Sequence, residues 1–217
     1  MNVVDFLKTH QGEILTLTGE HLWLVGISVT AAVLIGMPLG IVLYRKPHWR
    51  SIVLSIVNVI QTVPSLALFA ILIPLPWIGG IGSRTALIAL VLYSLLPIVS
   101  NTVSGLAGVD PAAREAAIAM GMTDRQLLWQ VELPLALGVI LTGVRIATVI
   151  GVGLATIAAA IGAGGLGMFI FRGLAMLDTR LILAGAIPAA MMALMADFML
   201  RWVERRFGAQ PGSTPRG

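Results

Sequence analysis

The stretch Asp110-Pro111-Ala112-Ala113-Arg114-Glu115-Ala116-Ala117-Ile118-Ala119-Met120-Gly121 is followed, nine residues on, by Val131-Glu132-Leu133-Pro134. It is a polar island in a chain that is otherwise almost continuously apolar. Asp110-Pro111 reads as a helix start, a capping acid with proline at the first helical position. Ala112 to Met120 are good helix formers, and Gly121 stops a helix because glycine accepts a left-handed backbone without steric cost. Thr123 or Asp124 caps a second helix running to about Glu132, and Pro134 begins the next apolar segment. The expectation is two short helices with a sharp turn between them, with Ala116, Ala117 and Ala119 keeping one surface narrow enough to enter a groove.

Outward from the island, the composition is that of a membrane protein. Of 217 residues, 58% are hydrophobic and 11% charged, with mean hydropathy +0.96, whereas soluble domains average roughly 25% charged residues. The chain has no cysteine, which excludes disulfides, thiolate metal sites and cysteine nucleophiles. His10, His21 and His48 are scattered and suggest no metal cluster. A net charge of +4 is too small for an extended nucleic-acid face. The first twenty residues hold Asp5, Glu13 and Glu20 against Lys8, a poor signal-peptide start.

A spanning helix needs ~20 mostly apolar residues. Uncharged segments run over 22–44, over 51–83 with a helix to about residue 73 before Pro74, Pro76 and Gly79-Gly80, and over 85–109. A fourth begins at 133 and carries Arg145 alone, and a fifth covers 181–200. The fold expectation is an all-α integral membrane protein of five transmembrane helices, with the island as a loop, residues 110–134, between the third and fourth. Lys and Arg set the orientation. Arg45, Lys46, Arg50, Arg114, Arg125, Arg201, Arg205, Arg206 and Arg216 fall on one side; Lys8, Arg84, Arg172 and Arg180 fall on the other. Nine against four puts the N-terminus outside and the island and C-terminus in the cytoplasm. Trp23 and Trp77 at outer ends, and Tyr44, Trp49 and Trp202 at inner ends, fit an interfacial belt. Residues 1–207 read as one domain, beginning with a short amphipathic helix on the outer surface, and 208–217 as a disordered tail.

The island resembles the "EAA" signature of permease subunits of binding-protein-dependent ABC importers. That pattern is Glu-Ala-Ala, three residues, Gly, nine residues, Ile-x-Leu-Pro. Glu115, Ala116, Ala117, Gly121, Leu133 and Pro134 match it, with Val131 replacing Ile. Val63-Pro64-Ser65-Leu66-Ala67 and Ile161-Gly162-Ala163-Gly164-Gly165-Leu166-Gly167 look most like the branch that carries the osmoprotectants glycine betaine, carnitine and choline. Methionine-importer permeases have a similar size and glycine loop. The resemblance implies a coupling helix seated in a cleft of a separate ATPase subunit. It also implies a second permease copy or homologue, an extracytoplasmic substrate-binding protein, and the bacterial cytoplasmic membrane as location. A non-transporting membrane scaffold or signalling subunit is the rival from another class.

No ATP site is expected in the chain, because the phosphate-binding loop needs Gly-Lys-Ser/Thr and Lys8 and Lys46 follow Leu7 and Arg45. Mg-ATP belongs on the partner ATPase subunits, and this chain needs no cofactor or metal of its own. Gly162, Gly164, Gly165 and Gly167 mimic a dinucleotide fingerprint, but that motif requires a strand before it and an acid ~20 residues after it. The preceding apolar run is too long for a strand, and Asp178 stands only eleven residues past Gly167. The glycines instead suit a turn at the outer face. Asn58, Gln61 and Thr62 before Pro64, and Tyr93, Ser94 and Asn101 around Pro97, either satisfy carbonyls freed by proline or line a translocation path. Arg145 either pairs across helices or serves the path. Asp197 and Arg201 have i,i+4 spacing, and Gly36-x-x-x-Gly40 reads as close helix packing. The spans offer no evident aromatic cage for a quaternary ammonium.

Overall fold

A computed structural model describes residues 9–207; the expectations for residues 1–8 and for the 208–217 tail lie outside them. The described chain is helical throughout. Helix α1 spans Gln11–Arg45, α2 Pro47–Thr62, α3 Ser65–Leu72, α4 Ser83–Ala107 and α5 Pro111–Ala119. Helix α6, Asp124–Gln126, continues through a π-helical stretch, Leu127–Glu132, into α7, Leu133–Ala158. A 3₁₀ turn, Ala159–Ile161, leads to α8, Gly167–Met176, and α9, Thr179–Phe207.

Four stretches are each long and apolar enough to cross a membrane: Gln11–Arg45, Ser83–Ala107, Asp124–Ile161 and Thr179–Phe207. The second expected span is not one straight helix to residue 73. It is broken between α2 and α3 by a bend of 100°. Pro64 lacks the N–H that would continue the ladder, and it forces Val63 into an extended conformation, φ −65° and ψ 128°. Two other boundaries differ from expectation. Residues 11–20 belong to the long α1 rather than to a separate surface helix. The second island helix does not end before Pro134 but continues through the π-helical stretch into α7, where the wider turn, with the Leu133 N–H on Leu128 O, accommodates a proline that lacks a donor.

The helices order themselves around α4. Gly36 and Gly40 of α1 lie against Ile98, Val99 and Thr102 of α4; a Cβ on Gly40 would stand 2.6 Å from Thr102 Cβ. This bears out the close packing expected of Gly36-x-x-x-Gly40. On a neighbouring face of α4, a Cβ on Gly143 of α7 would stand 2.5 Å from the Pro97 carbonyl oxygen. The pairings 36 with 98 and 40 with 102 make α1 and α4 parallel. The chain must therefore return across the molecule between them, and residues 47–82 make that return. Helix α7 runs antiparallel to α4, and α9 antiparallel to α7.

Two ends result. One gathers Arg45, Leu106, Arg114 and Glu132; the other gathers Glu20, Gly82 and the 162–165 loop, where the Gly82 N–H donates to the Ile161 carbonyl at 2.8 Å. Replacing Gly143 with alanine should overpack the α4–α7 contact and cost roughly 1–3 kcal/mol. Gly153→Ala, where nothing lies within 4 Å, should be neutral or slightly stabilising. Thermal unfolding of the two variants in detergent measures the difference.

Candidate functional site: the polar island and its anchors

The island folds by the local rules its sequence announces. The Asp110 carboxylate accepts a hydrogen bond from the Ala112 N–H at 2.9 Å, with Pro111 at the first helical position. Helix α5 ends at Gly121, whose φ of +82° is the left-handed conformation. There the Gly121 N–H donates to Ile118 O and the Met122 N–H to Ala117 O, the paired bonds of a Schellman termination. Thr123 and Gln126 form a reciprocal capping box that starts α6.

One face of α5 is fastened and the other is open. Ala117 is 2% exposed, while Ile118 and Met120 are 57% and 72% exposed. Glu115, Ala116 and Gly121 share the open side. Downstream, Leu133 is buried and Pro134 exposed. Of the matched motif, therefore, Ala117 and Leu133 hold the loop to the body, and the other four residues are accessible.

The anchor is Glu132, a residue that the sequence motif does not single out. It is 1% exposed and accepts hydrogen bonds from Arg114 Nε at 2.9 Å, Tyr44 Oη at 3.1 Å and Arg45 Nη2 at 3.2 Å. Arg114 also donates to the Leu106 carbonyl, and Arg45 to the Asp124 carbonyl. Both guanidinium groups lie within 6 Å of the Tyr44 ring centroid, in range for cation–π attraction. One carboxylate thus ties the end of α1, the start of α5 and the π-helical entry to α7. In that entry the Leu133 N–H reaches back five residues to Leu128 O. The available sequence signal is an acid beside two apolar residues, Val131 and Leu133, at the end of an apolar span.

Arg145 pairs across helices. Its Nη1 donates to Asp197 at 2.8 Å and its Nε to Glu204 at 3.0 Å, both on α9. Arg201 holds the other Asp197 oxygen at 2.7 Å, bearing out the expected i,i+4 pair, and Thr142 donates to Glu204. Two cations and two anions make a neutral lock between α7 and α9.

The residues considered for a path fall into groups. Pro97 leaves the Tyr93 carbonyl without a helical donor, and Gln61 Nε2 donates to it at 3.5 Å. The Tyr93 hydroxyl donates to Val63 O at the α2–α3 bend. Ser94 and Asn101 donate to Leu90 O and Pro97 O on their own helix. Asn58 and Thr62 are exposed, with the Thr62 hydroxyl donating to Val59 O.

At the other end, Gly162, Gly164 and Gly165 all have positive φ, while Gly167 opens α8. The Gly165 N–H donates to Glu20 Oε2 at 2.9 Å, and a Cβ on Gly164 would stand 2.5 Å from that oxygen. Beside it, the buried His21 donates through Nε2 to Val152 O at 3.1 Å. The glycines press a loop against α1.

Residues 32–209 match the family described as "Binding-protein-dependent transport system inner membrane component". This chain belongs to that family. Curated relatives include a carnitine transport permease protein of Listeria monocytogenes serotype 1/2a (strain 10403S), 45% identical over 94% of this chain and 90% of its own length. A choline transport system permease protein of Bacillus subtilis (strain 168) is 42% identical over 94% of this chain and 93% of its own length. An osmoprotectant import permease protein of Salmonella typhimurium is 43% identical, covering 92% and 94%. Among solved structures, a chain of a methionine ABC transporter in inward-facing form superposes with a TM-score of 0.79. It covers 88% of this chain and 94% of its own at 24% identity, so the likeness is one of fold.

Removing the Glu132 carboxylate should cost about 3 kcal/mol, because two cations lose their shared partner. That figure is at the low end of the usual range because both arginines reach solvent. Glu132→Ala should lower the unfolding temperature in detergent, and Glu132→Gln, which keeps the acceptor for Tyr44, should lower it less.

Proposed function

We propose that this chain carries a quaternary-amine osmolyte of the glycine betaine, carnitine or choline type into the cell, driven by ATP on separate subunits. The observation that carries this reading is the identity of 42–45%, over almost the whole chain, to permeases named for carnitine, choline and osmoprotectants. In this reading the membrane is crossed five times, the bent α2–α3 pair making the second passage. The Lys and Arg excess puts the Glu132 end in the cytoplasm and the glycine loop outside.

The open face of α5, with Glu115, Ala116, Ile118, Met120 and Gly121, is then the surface that enters an ATPase subunit. The exposed apolar side chains there support this, since they stand at a polar end of the molecule, away from lipid. Two ATPase subunits holding Mg-ATP, a second permease copy or homologue, and an extracytoplasmic binding protein complete the importer in the bacterial inner membrane. When ATP closes the ATPase pair, the coupling helices approach and the helices behind them change from inward-open to outward-open. Asn58 and Thr62, exposed on α2, are assigned to the path. Gln61, Tyr93, Ser94, Asn101 and Arg145 support its walls through the bonds described.

Gly121 tests the coupling. No atom lies within 4 Å of where its Cβ would be, so substitution strains the backbone alone, by roughly 1–2 kcal/mol for an ordinary residue in the left-handed region. Gly121→Val should abolish uptake by the reconstituted importer while the ATPase subunits alone stay active. Gly121→Asn, which tolerates that conformation, should retain most uptake. Full uptake by Gly121→Val would remove the coupling role. Uptake of labelled methionine in place of choline, carnitine and glycine betaine would redirect the substrate assignment.

A further inference from the structure

A cleft of about 550 Å³ opens at the glycine-loop end, lined by Gly19, Glu20, Trp23, Leu24 and Ser83 with the backbone of residues 162–164. Its size falls within the range of small-molecule sites, ~300–1,000 Å³. Its chemistry is selective. It holds one carboxylate and one indole, three residues apart on α1 and so on one helix face. Among the described residues no Lys or Arg lines it, and neighbouring Arg84 donates instead to the Trp77 carbonyl.

From this we infer that the cleft is a binding site for a quaternary ammonium group, held over the Trp23 indole and neutralised by Glu20. An ammonium carrying only methyl groups has no N–H to donate, so a carboxylate attracts it by charge and an aromatic face by its quadrupole. The cleft supplies both. The Glu20 carboxylate is fixed at the wall of the cleft: Oε2 accepts from the Gly165 N–H at 2.9 Å, and the remaining lone pairs of the carboxylate stay available.

Trp23 is 50% exposed, open to a ligand from solvent. Arg45, at the opposite end of α1, lies ~33 Å away at 1.5 Å rise per residue, about the thickness of the hydrocarbon core. The cleft therefore stands at the membrane–water boundary, where a released solute first meets the permease.

This inference deepens the proposed function and rests on it for the identity of the solute. The lack of a basic side chain among the described lining residues adds a preference. A solute whose only charge is the ammonium binds better than a zwitterion, whose carboxylate would face Glu20.

The test uses the permease with its ATPase subunits in nanodiscs, without binding protein, titrated calorimetrically with tetramethylammonium and with choline. Both should bind in a saturable manner, and the uncharged carbon isostere of choline should not. Trp23→Ala should weaken binding about tenfold, the scale of one desolvated cation–π contact, and Trp23→Phe should weaken it less. Glu20→Gln keeps an acceptor for Gly165 while removing the charge, so a loss of affinity in that variant reports charge rather than loop structure. Absence of saturable binding, equal binding of the uncharged isostere, or unchanged affinity in both Trp23→Ala and Glu20→Gln overturns the inference. The outcome is separable from that of the uptake assay. An importer that moves no quaternary amine defeats the proposed function while the titration still reads the cleft, and uptake without cleft binding defeats only the cleft.

Discussion

Backbone contact across α4 is the constraint on which the rest of the molecule depends. In lipid, an apolar side chain gains little by leaving acyl chains for another helix, so helices associate through close van der Waals approach. Gly40 of α1 and Gly143 of α7 supply that approach on neighbouring faces of α4. Neither can carry a Cβ without meeting Thr102 or the Pro97 carbonyl. The parallel pairing of α1 with α4 follows from this contact, and with it the need for a returning passage through residues 47–82. The bend at Val63-Pro64 lies inside that passage. It is fastened by the Tyr93 hydroxyl and the Gln61 amide, which use carbonyls that α2 and α4 leave without helical donors.

Charge obeys a second constraint. A lone ion in a spanning segment is costly, so it is paired or it marks a function. Arg145 meets this condition with two acids of α9, and Glu132 meets it with two arginines and a tyrosine. The two clusters differ in consequence. The Arg145 lock joins two long helices side by side and makes them one body. The Glu132 anchor joins three successive parts of the chain at their ends, where the exposed face of α5 begins. A force on α5 reaches α1 and the entry to α7 through Arg114 and the Glu132 carboxylate that it shares with Tyr44 and Arg45.

Local signals in the sequence are dependable where one residue determines one conformation. Asp110-Pro111, Gly121 and Thr123 each produce the cap or stop they announce. Gly36 and Gly40 foretell a tight contact, and Asp197 with Arg201 a pair one turn apart. Misreadings come where two local rules compete. Pro64 stands in an apolar run with no charge to mark a boundary, and hydropathy alone joins α2 to α3. Pro134 reads as a boundary, although the π-helical turn before it lets the helix continue. Glu132 escapes a local reading because its partners are remote: Tyr44 and Arg45 lie nearly ninety residues upstream, and no spacing rule connects them. The cleft at Glu20 and Trp23 is hidden for the same reason. Each residue has an ordinary local reading, as acid before a span and aromatic at an interface, and only the packed 162–165 loop brings them to one cavity.

The two ends of the molecule are mechanically related through α1 and α7, because each helix touches both. Helix α1 carries Tyr44 and Arg45 at one end and Glu20 and His21 at the other. Helix α7 begins beside Glu132 and ends at the glycine loop. The His21 bond to the Val152 carbonyl, 3.1 Å, fastens the pair at the end away from Glu132. A continuous α-helix transmits axial displacement with little loss, since each turn is bonded to the next. Displacement of α5 is therefore passed toward the Glu20–Gly165 contact at the far end, less what a break absorbs. The 100° bend lies in the α2–α3 passage, outside the α1–α7 pair, but Pro38 interrupts the α1 ladder and the π-helical stretch stands at the entry to α7, and each absorbs part of a displacement. Movement at the Glu132 end thus reaches the cleft at the opposite end along α1 and α7 in the part that these two irregularities pass on.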